Sequence, residues 1–127
     1  MKDRRINAVV IGFGHAGEKI HAPLLRHCQT MHLRGISSSD SDKRRRIESE
    51  LGCRAYESLE QVLDDEAVEL VVLATPNELH AAQALAAMRA GKHVVIDKPM
   101  CLTTAEAREM IDCAQRTRKA LTVFHNR

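Results

Sequence analysis

Ile6-Asn7-Ala8-Val9-Val10-Ile11-Gly12-Phe13-Gly14-His15-Ala16-Gly17 is the stretch whose reading decides the fold. Its first half, Ile6 to Ile11, is an apolar run interrupted only by Asn7, rich in β-branched residues and closed by glycine, which is the pattern of a strand buried on both faces. Its second half is a G-x-G-x-x-G turn that opens a helix from about Ala16. The three glycines have separate jobs: Gly12 permits a tight turn, Gly14 lets the backbone approach a pyrophosphate, and Gly17 lets the helix pack closely on the strand. The first turn of that helix offers N–H donors without intrahelical partners to an anion. Gly12, Phe13, Gly14, His15, Ala16 and Gly17 therefore read as a dinucleotide phosphate site.

Working outward, Pro23 is expected to kink or break the first helix and leave Leu24 and Leu25 in a second short piece. Met31 to Ile36 reads as a second strand. Asp42 is the expected cap of a helix that carries Ile47 and Leu51 and stops at Gly52, and Cys53 to Tyr56 follows as a brief third strand. Ser58 and Gln61 form a capping box ahead of Leu59, Val62 and Leu63. Glu69 to Ala74 (ELVVLA) is the clearest strand of the chain, ended by Thr75-Pro76. The helix from about Asn77 to Ala90 places Ala81, Leu85 and Met88 on one face and meets Gly91 as its stop. His93 to Ile96 is the fifth strand. Thr103 and Glu106 cap a helix with Ala107, Met110, Ile111 and Ala114 inward, and Leu121 to Phe124 is the sixth strand. Strands alternating with helices imply right-handed βαβ units, hence an α/β fold: a doubly wound parallel sheet in three layers, the Rossmann arrangement.

The 127 residues suit one domain, 1–127, with no room for a second. With 44% apolar but only 2% aromatic residues, the core has to be aliphatic. Nineteen basic and 17 acidic residues give a net charge of +2 spread along the chain, which argues against a nucleic-acid partner. The one basic run, Lys43 to Arg46, reads as a solvated helix face. Four cysteines without CxxC spacing read as buried free thiols, and the histidines show no metal-ligand spacing, so no metal is expected. His21, His27, His32 and His93 read as structural or solvent-facing. No stretch reaches membrane-spanning length and no signal segment precedes the first strand, so the expected location is the cytoplasm, without membrane association.

In a doubly wound sheet the ligand lies beyond the carboxyl ends of the strands. That rim gathers Gly12, then Ser37, Ser38 and Ser39 after the second strand, Thr75-Pro76-Asn77 after the fourth, and Asp97-Lys98-Pro99 after the fifth. NAD-specific sites carry Asp or Glu at the end of the second strand to bind the ribose hydroxyls. Serines stand there instead, with Lys43 or Arg44 close by to balance a 2′-phosphate, which favours NADP over NAD. Asp40 keeps the NAD alternative open, since a small shift in register places its carboxylate near the ribose.

Ala90 to Pro99, AGKHVVIDKP, resembles the AGKHVxxEKP segment of the Gfo/Idh/MocA oxidoreductases, the glucose-fructose oxidoreductase and inositol dehydrogenase family. The glycine turn, ATPNELH after the fourth strand and VFHNR at the end carry the likeness along the whole chain. The resemblance implies a nucleotide domain whose Thr75, Pro76, Asn77 and His80 border the nicotinamide side, whose Lys98 faces the reacting carbon, and whose Asn126 marks the crossing towards a substrate domain. It also implies a cis bond between Lys98 and Pro99. Asp97 departs from the usual glutamate and shortens the reach towards the nicotinamide ribose. His80 read from its position alone is either a cofactor contact or a helix-surface histidine. The implied activity is hydride transfer between a nicotinamide cofactor and a sugar, inositol or related polyol, with the substrate held by a second domain that the chain lacks. Assembly into a homo-oligomer stays open. The alternative is a non-catalytic dinucleotide-binding or sensor module, or a truncated remnant. S-adenosylmethionine also binds glycine turns, but Asp97-Lys98-Pro99 has no job in methyl transfer.

Overall fold

The computed structural model describes residues 4–125. Six strands form one sheet in the order β3-β2-β1-β4-β5-β6, and all five pairings are parallel. They are β1 (Ile6–Ile11), β2 (Met31–Ser37), β3 (Arg54–Tyr56), β4 (Leu70–Leu73), β5 (His93–Asp97) and β6 (Leu121–Phe124). The helices are α1 (Ala22–His27), α2 (Ser41–Arg46), α3 (Leu59–Asp64), α4 (His80–Arg89) and α5 (Thr104–Thr117). The strand order reverses direction at β1, so the loops after β1 and β4 diverge and open the crevice in which such sheets bind ligands.

Alternation along each strand divides the core in two. Ala8, Val10, Leu33, Ile36 and Val72 pack with Ala22, Leu25 and Ile47 on the α1 and α2 side. Val9, Ile11, Val71, Leu73, Val94 and Ile96 pack with Val62, Leu85, Met88 and Met110 on the side of α3, α4 and α5. Three layers result, with an aliphatic interior as the composition requires.

Several local expectations need correction. Pro23 breaks nothing, because a π-helical turn over Gly17–His21 runs straight into α1 and the Ala22 N–H bonds back five residues to Gly17. The widened turn brings Pro23 in at the start of α1, where its missing N–H costs no bond. The cap of α2 is Asp40 and not Asp42: the Asp40 carboxylate accepts from the N–H groups of Asp42 and Lys43 at 2.8 and 3.3 Å. Ile111 is 48% exposed, since the inward face of α5 centres on Met110 and Cys113. All four cysteines are free, yet only Cys113 is buried. The caps at Ser58 and Thr103 form as read, accepting from the N–H groups of Gln61 and Glu106 at 3.2 and 3.1 Å.

Candidate functional site

The glycine turn is fixed by backbone crowding on two of its three glycines. Gly12 has φ +103°, in the left-handed region, and a Cβ there would stand 2.7 Å from the Ala74 carbonyl oxygen. A Cβ on Gly17 would stand only 2.1 Å from the Gly12 carbonyl oxygen, so helix and strand touch through bare backbone. Gly14 differs: nothing lies within 4 Å of its Cβ position. The open space is on the rim, at the start of a helix whose first closing bond is Glu18 N–H to Gly14 O at 2.9 Å. Preceding amides of that turn are left for an anion, and a pyrophosphate fits this cradle.

The side chains around the turn sort themselves. Phe13 is buried in the core, so it reaches the crevice through its backbone only, whereas His15 is exposed and Ala16 half-buried. Glu18, whose N–H closes the turn on Gly14 O, carries a carboxylate one residue beyond Gly17. Arg46 from the far end of α2 neutralises it at 2.6 Å and covers the Phe13 ring at 5.5 Å. The Arg46 hydrogen bond outweighs partial desolvation and lowers the Glu18 pKa. Arg46 was read as part of a solvated face. No local pattern signals this tether, because its partner is 28 residues away.

At the end of β2, Ser37 is buried and its carbonyl accepts the Gly12 N–H at 3.1 Å, which ties the serine cluster to the glycine turn. Ser38 is half-buried, its hydroxyl accepts from the Asp40 N–H at 3.2 Å, and Ser39 is exposed. Arg44 rather than Lys43 lies against this cluster, donating to the Ser38 carbonyl at 2.8 Å, with Glu57 3.6 Å from the same guanidinium. Lys43 is half-buried on α2, its backbone N–H held by Asp40.

On the other side of the crevice, Thr75 is half-buried and donates its hydroxyl to Gln83 at 2.6 Å, while Pro76 and Asn77 are exposed ahead of a 3-10 turn over Asn77–Leu79. His80 follows at the start of α4 and is neither a surface histidine nor exposed to the crevice. Its ring is buried, with Nδ1 2.7 Å from the Pro99 carbonyl oxygen and Nε2 2.9 Å from that of Thr75. Asp97 closes β5, and Lys98 and Pro99 are exposed beyond it, joined by a cis peptide bond. His21 takes the structural one of its two expected roles: it is buried with its Nε2 3.5 Å from the Asp97 carboxylate and its ring edge-on to Phe124 at 4.9 Å. That links the glycine-turn helix to the ends of β5 and β6. Asn126 lies outside the described residues.

One rim of the sheet thus brings together an anion cradle, a serine cluster with an arginine, and an exposed lysine two strands from the turn. Among the described residues, no three His, Cys, Asp or Glu side chains gather as a metal-ligand set. Among them, too, no helix is long and apolar enough to cross a membrane.

Comparison with known proteins agrees with this geometry. The chain is 33% identical over 131 residues to scyllo-inositol 2-dehydrogenase (NADP(+)) IolW of Bacillus subtilis (strain 168), covering 100% of the chain and 36% of that protein. It is 35% identical over 116 residues to UDP-N-acetylglucosamine 3-dehydrogenase of Acidithiobacillus ferrooxidans, covering 91% of the chain and 36% of that protein. The crystal structure of a putative oxidoreductase from Klebsiella pneumoniae superposes with a TM-score of 0.88 at 42% identity, over 96% of this chain and 35% of that one. The chain spans about a third of the length of the curated relatives it matches. A sequence model described as the GFO_IDH_MocA oxidoreductase family, NAD-binding Rossmann fold, matches residues 6–125, and the chain belongs to that family as its nicotinamide-dinucleotide-binding domain.

Proposed function

We propose that this domain serves an NADP-preferring oxidoreductase that moves hydride between the cofactor and a secondary alcohol or carbonyl of a sugar, inositol or related polyol. The observation that carries the cofactor preference is the occupation of Asp40. Its carboxylate, the acid closest in sequence to the ribose position, is spent on capping α2. An aspartate at the strand end would repel a 2′-phosphate, whereas Ser38 and Ser39 offer hydroxyl donors. Arg44, anchored on the Ser38 carbonyl, supplies a planar cation suited to bidentate contact with phosphate. An NADP(+) in the name of one relative supports the preference. The polyol class is supported by an inositol in one relative's name and a nucleotide sugar in another's.

The bound nicotinamide would supply or accept the hydride. The chain's own groups would do the rest. The amides of the glycine turn hold the pyrophosphate, and Arg46 keeps the Glu18 carboxylate from opposing it. Thr75, Pro76 and Asn77 border the nicotinamide side, with Asp97 towards its ribose. Lys98 presents an ammonium to the substrate oxygen and stabilises negative charge as it develops there. Cytoplasmic location and assembly through surfaces outside this domain belong to the same reading.

The test is calorimetric titration with NADPH and NADH, repeated on Ser38→Asp. NADPH is expected to bind about tenfold or more tightly than NADH, in keeping with one well-placed charged contact, and the variant is expected to lose or reverse that order. Tighter NADH binding by the unmodified protein defeats the preference.

A further inference from the structure

The His80 ring is almost wholly buried, yet both of its nitrogens face backbone carbonyls of the rim. Those carbonyls, of Thr75 and Pro99, belong to the loops that leave the paired strands β4 and β5. Carbonyl oxygens only accept, so the ring is the donor in either bond, and a neutral imidazole with its single N–H makes one of the two at a time. Among the described residues, His80 is the one side chain that hydrogen-bonds the segment 98–100. Pro99 has no N–H, which leaves its carbonyl as the available anchor.

We propose that His80 is a positioning residue whose ring ties the loop after β4 to the loop after β5 and thereby sets where Lys98 is presented. This rests on the reading of Lys98 as the cation that faces substrate. A lysine has a long flexible stem, so the fold controls its reach mainly through the backbone it springs from. The bond to Pro99 O falls one residue beyond that backbone. It is part-buried, with its ring end out of water and its carbonyl end on an exposed residue. The two loops are not held equally. Thr75 has a second anchor on α4, its hydroxyl bond to Gln83 at 2.6 Å, whereas the described side-chain tether of 98–100 is the ring alone. Loss of the ring therefore frees the lysine side of the crevice more than the threonine side.

Two substitutions separate a tether from a space-filling ring. Asparagine places its amide nitrogen near the position of Nδ1, and glutamine places its own near Nε2. His80→Asn keeps a donor for Pro99 and His80→Gln keeps one for Thr75. Backbone 15N relaxation on the chain reads the outcome. The order parameters of Lys98 and Met100 are expected to stay near about 0.85 in His80→Asn and to fall below about 0.6 in His80→Gln, with Gly14 to Gly17 unchanged in both. With NADPH as the probe, the shift of the Lys98 amide at saturation is expected to persist in His80→Asn and to shrink at least about threefold in His80→Gln, the change an averaged loop would give. Equal order at Lys98 in the two variants overturns the proposal, because a ring that only fills space does not distinguish which loop it serves. If the unmodified chain binds neither NADPH nor NADH, the cofactor reading falls, and the relaxation contrast still decides the role of His80.

Discussion

The two ends of the sheet differ in how many polar side chains they leave over for a ligand. At the amino end they are spent on each other. Asp65, ahead of β4, accepts from Arg34 Nε at 2.8 Å, from the Tyr56 hydroxyl at 2.6 Å and from the Ala67 N–H at 3.0 Å. Its backbone carbonyl accepts from the buried Lys92 ammonium at 3.0 Å. Glu69 likewise accepts from Arg4 and from the Asn7 N–H. At the carboxyl end several tethers run through backbone carbonyls of Ser37, Ser38, Thr75 and Pro99, beside the side-chain pairs Glu18–Arg46 and Thr75–Gln83, while Ser39, Asn77 and Lys98 stay exposed. One end is closed chemistry that holds strands together. The other is a scaffold with its reactive groups left over for a ligand, as a site grafted on a stable fold requires.

The largest effect is expected from Gly17→Ala, at the one point of the carboxyl end that is packed backbone on backbone. The added methyl would lie 2.1 Å from the Gly12 carbonyl oxygen and 3.0 Å from its carbon, and both sides of the clash are backbone. Relief requires the helix to lift off β1, at a cost of about 3 kcal/mol, the upper end for overpacking. Urea denaturation should show the midpoint fall with the slope unchanged, and NADPH binding should vanish with the fold of the turn. A loss below about 1 kcal/mol means that the close approach is not what holds the turn.

The amino end is tested by Asp65→Asn. Burial would by itself raise the Asp65 pKa, but the bonds from Tyr56, Arg34 and the Ala67 amide overcome it and hold the carboxyl down at about 2. Burial first, then the facing carboxylate, pushes Tyr56 up to about 12. A carboxylate with a depressed pKa contributes its stability above the unfolded value of 3.8 and loses it as pH falls towards about 2. The raised phenol acts in the opposite sense: its share is intact below pH 10 and is lost as pH rises through about 12. Asp65→Asn should destabilise by about 2 kcal/mol at pH 7, because the Arg34 guanidinium is left without its counter-charge. The stability profile of the variant should also be flatter between pH 4 and 2. NADPH affinity should stay within about twofold, because Asp65 meets the Tyr56 hydroxyl, while the backbone of Tyr56, which holds the Ser38 N–H at 3.0 Å, keeps its sheet pairing. A large loss of affinity would show that the two ends are not separable.

How much of this was legible in the sequence follows from the range of each interaction. Strands announced themselves through Val9-Val10-Ile11 and Leu70 to Leu73, because a strand buried on both faces tolerates little else. Within the glycine turn, Gly12 and Gly17 were readable as a tight turn and a close helix–strand contact, and the structure has both, whereas Gly14 meets nothing within 4 Å and answers no steric demand of the chain itself. Capping at Ser58 and Thr103 was readable because donor and acceptor are three residues apart. At α2 the same logic chose the wrong aspartate, as Asp40 and Asp42 both suit a cap and only the chain path out of β2 decides between them. The tethers escaped altogether. Arg46 on Glu18, His80 on Pro99 and Arg34 on Asp65 join residues 28, 19 and 31 apart, and no periodicity encodes which side chains a fold will superpose. Gly35 is a quieter case: a Cβ there would stand 2.4 Å from the Arg54 carbonyl oxygen and 2.6 Å from the Tyr56 ring, so its absence makes room for both the β3 backbone and the phenol. In sequence it is one small residue inside a strand.

The smallest effect on stability is expected where the comparison is sharpest. Gly14 shares a motif with Gly17 and sits three residues from it, yet its Cβ position is open and its backbone is outside the left-handed region. Gly14→Ala should leave the unfolding free energy within about 0.5 kcal/mol, and a slight gain is reasonable because alanine narrows the unfolded ensemble. The methyl would nevertheless stand in the space that a pyrophosphate needs against the helix amides, so NADPH affinity should drop by about tenfold or more while the melting temperature holds. Calorimetry and thermal unfolding on the same sample separate the two quantities. If Gly14→Ala binds NADPH as tightly as the unmodified chain, the open space beside Gly14 is not the phosphate cradle. If it unfolds early, the turn carries structural load at all three glycines and the contrast between a packed Gly17 and an open Gly14 fails.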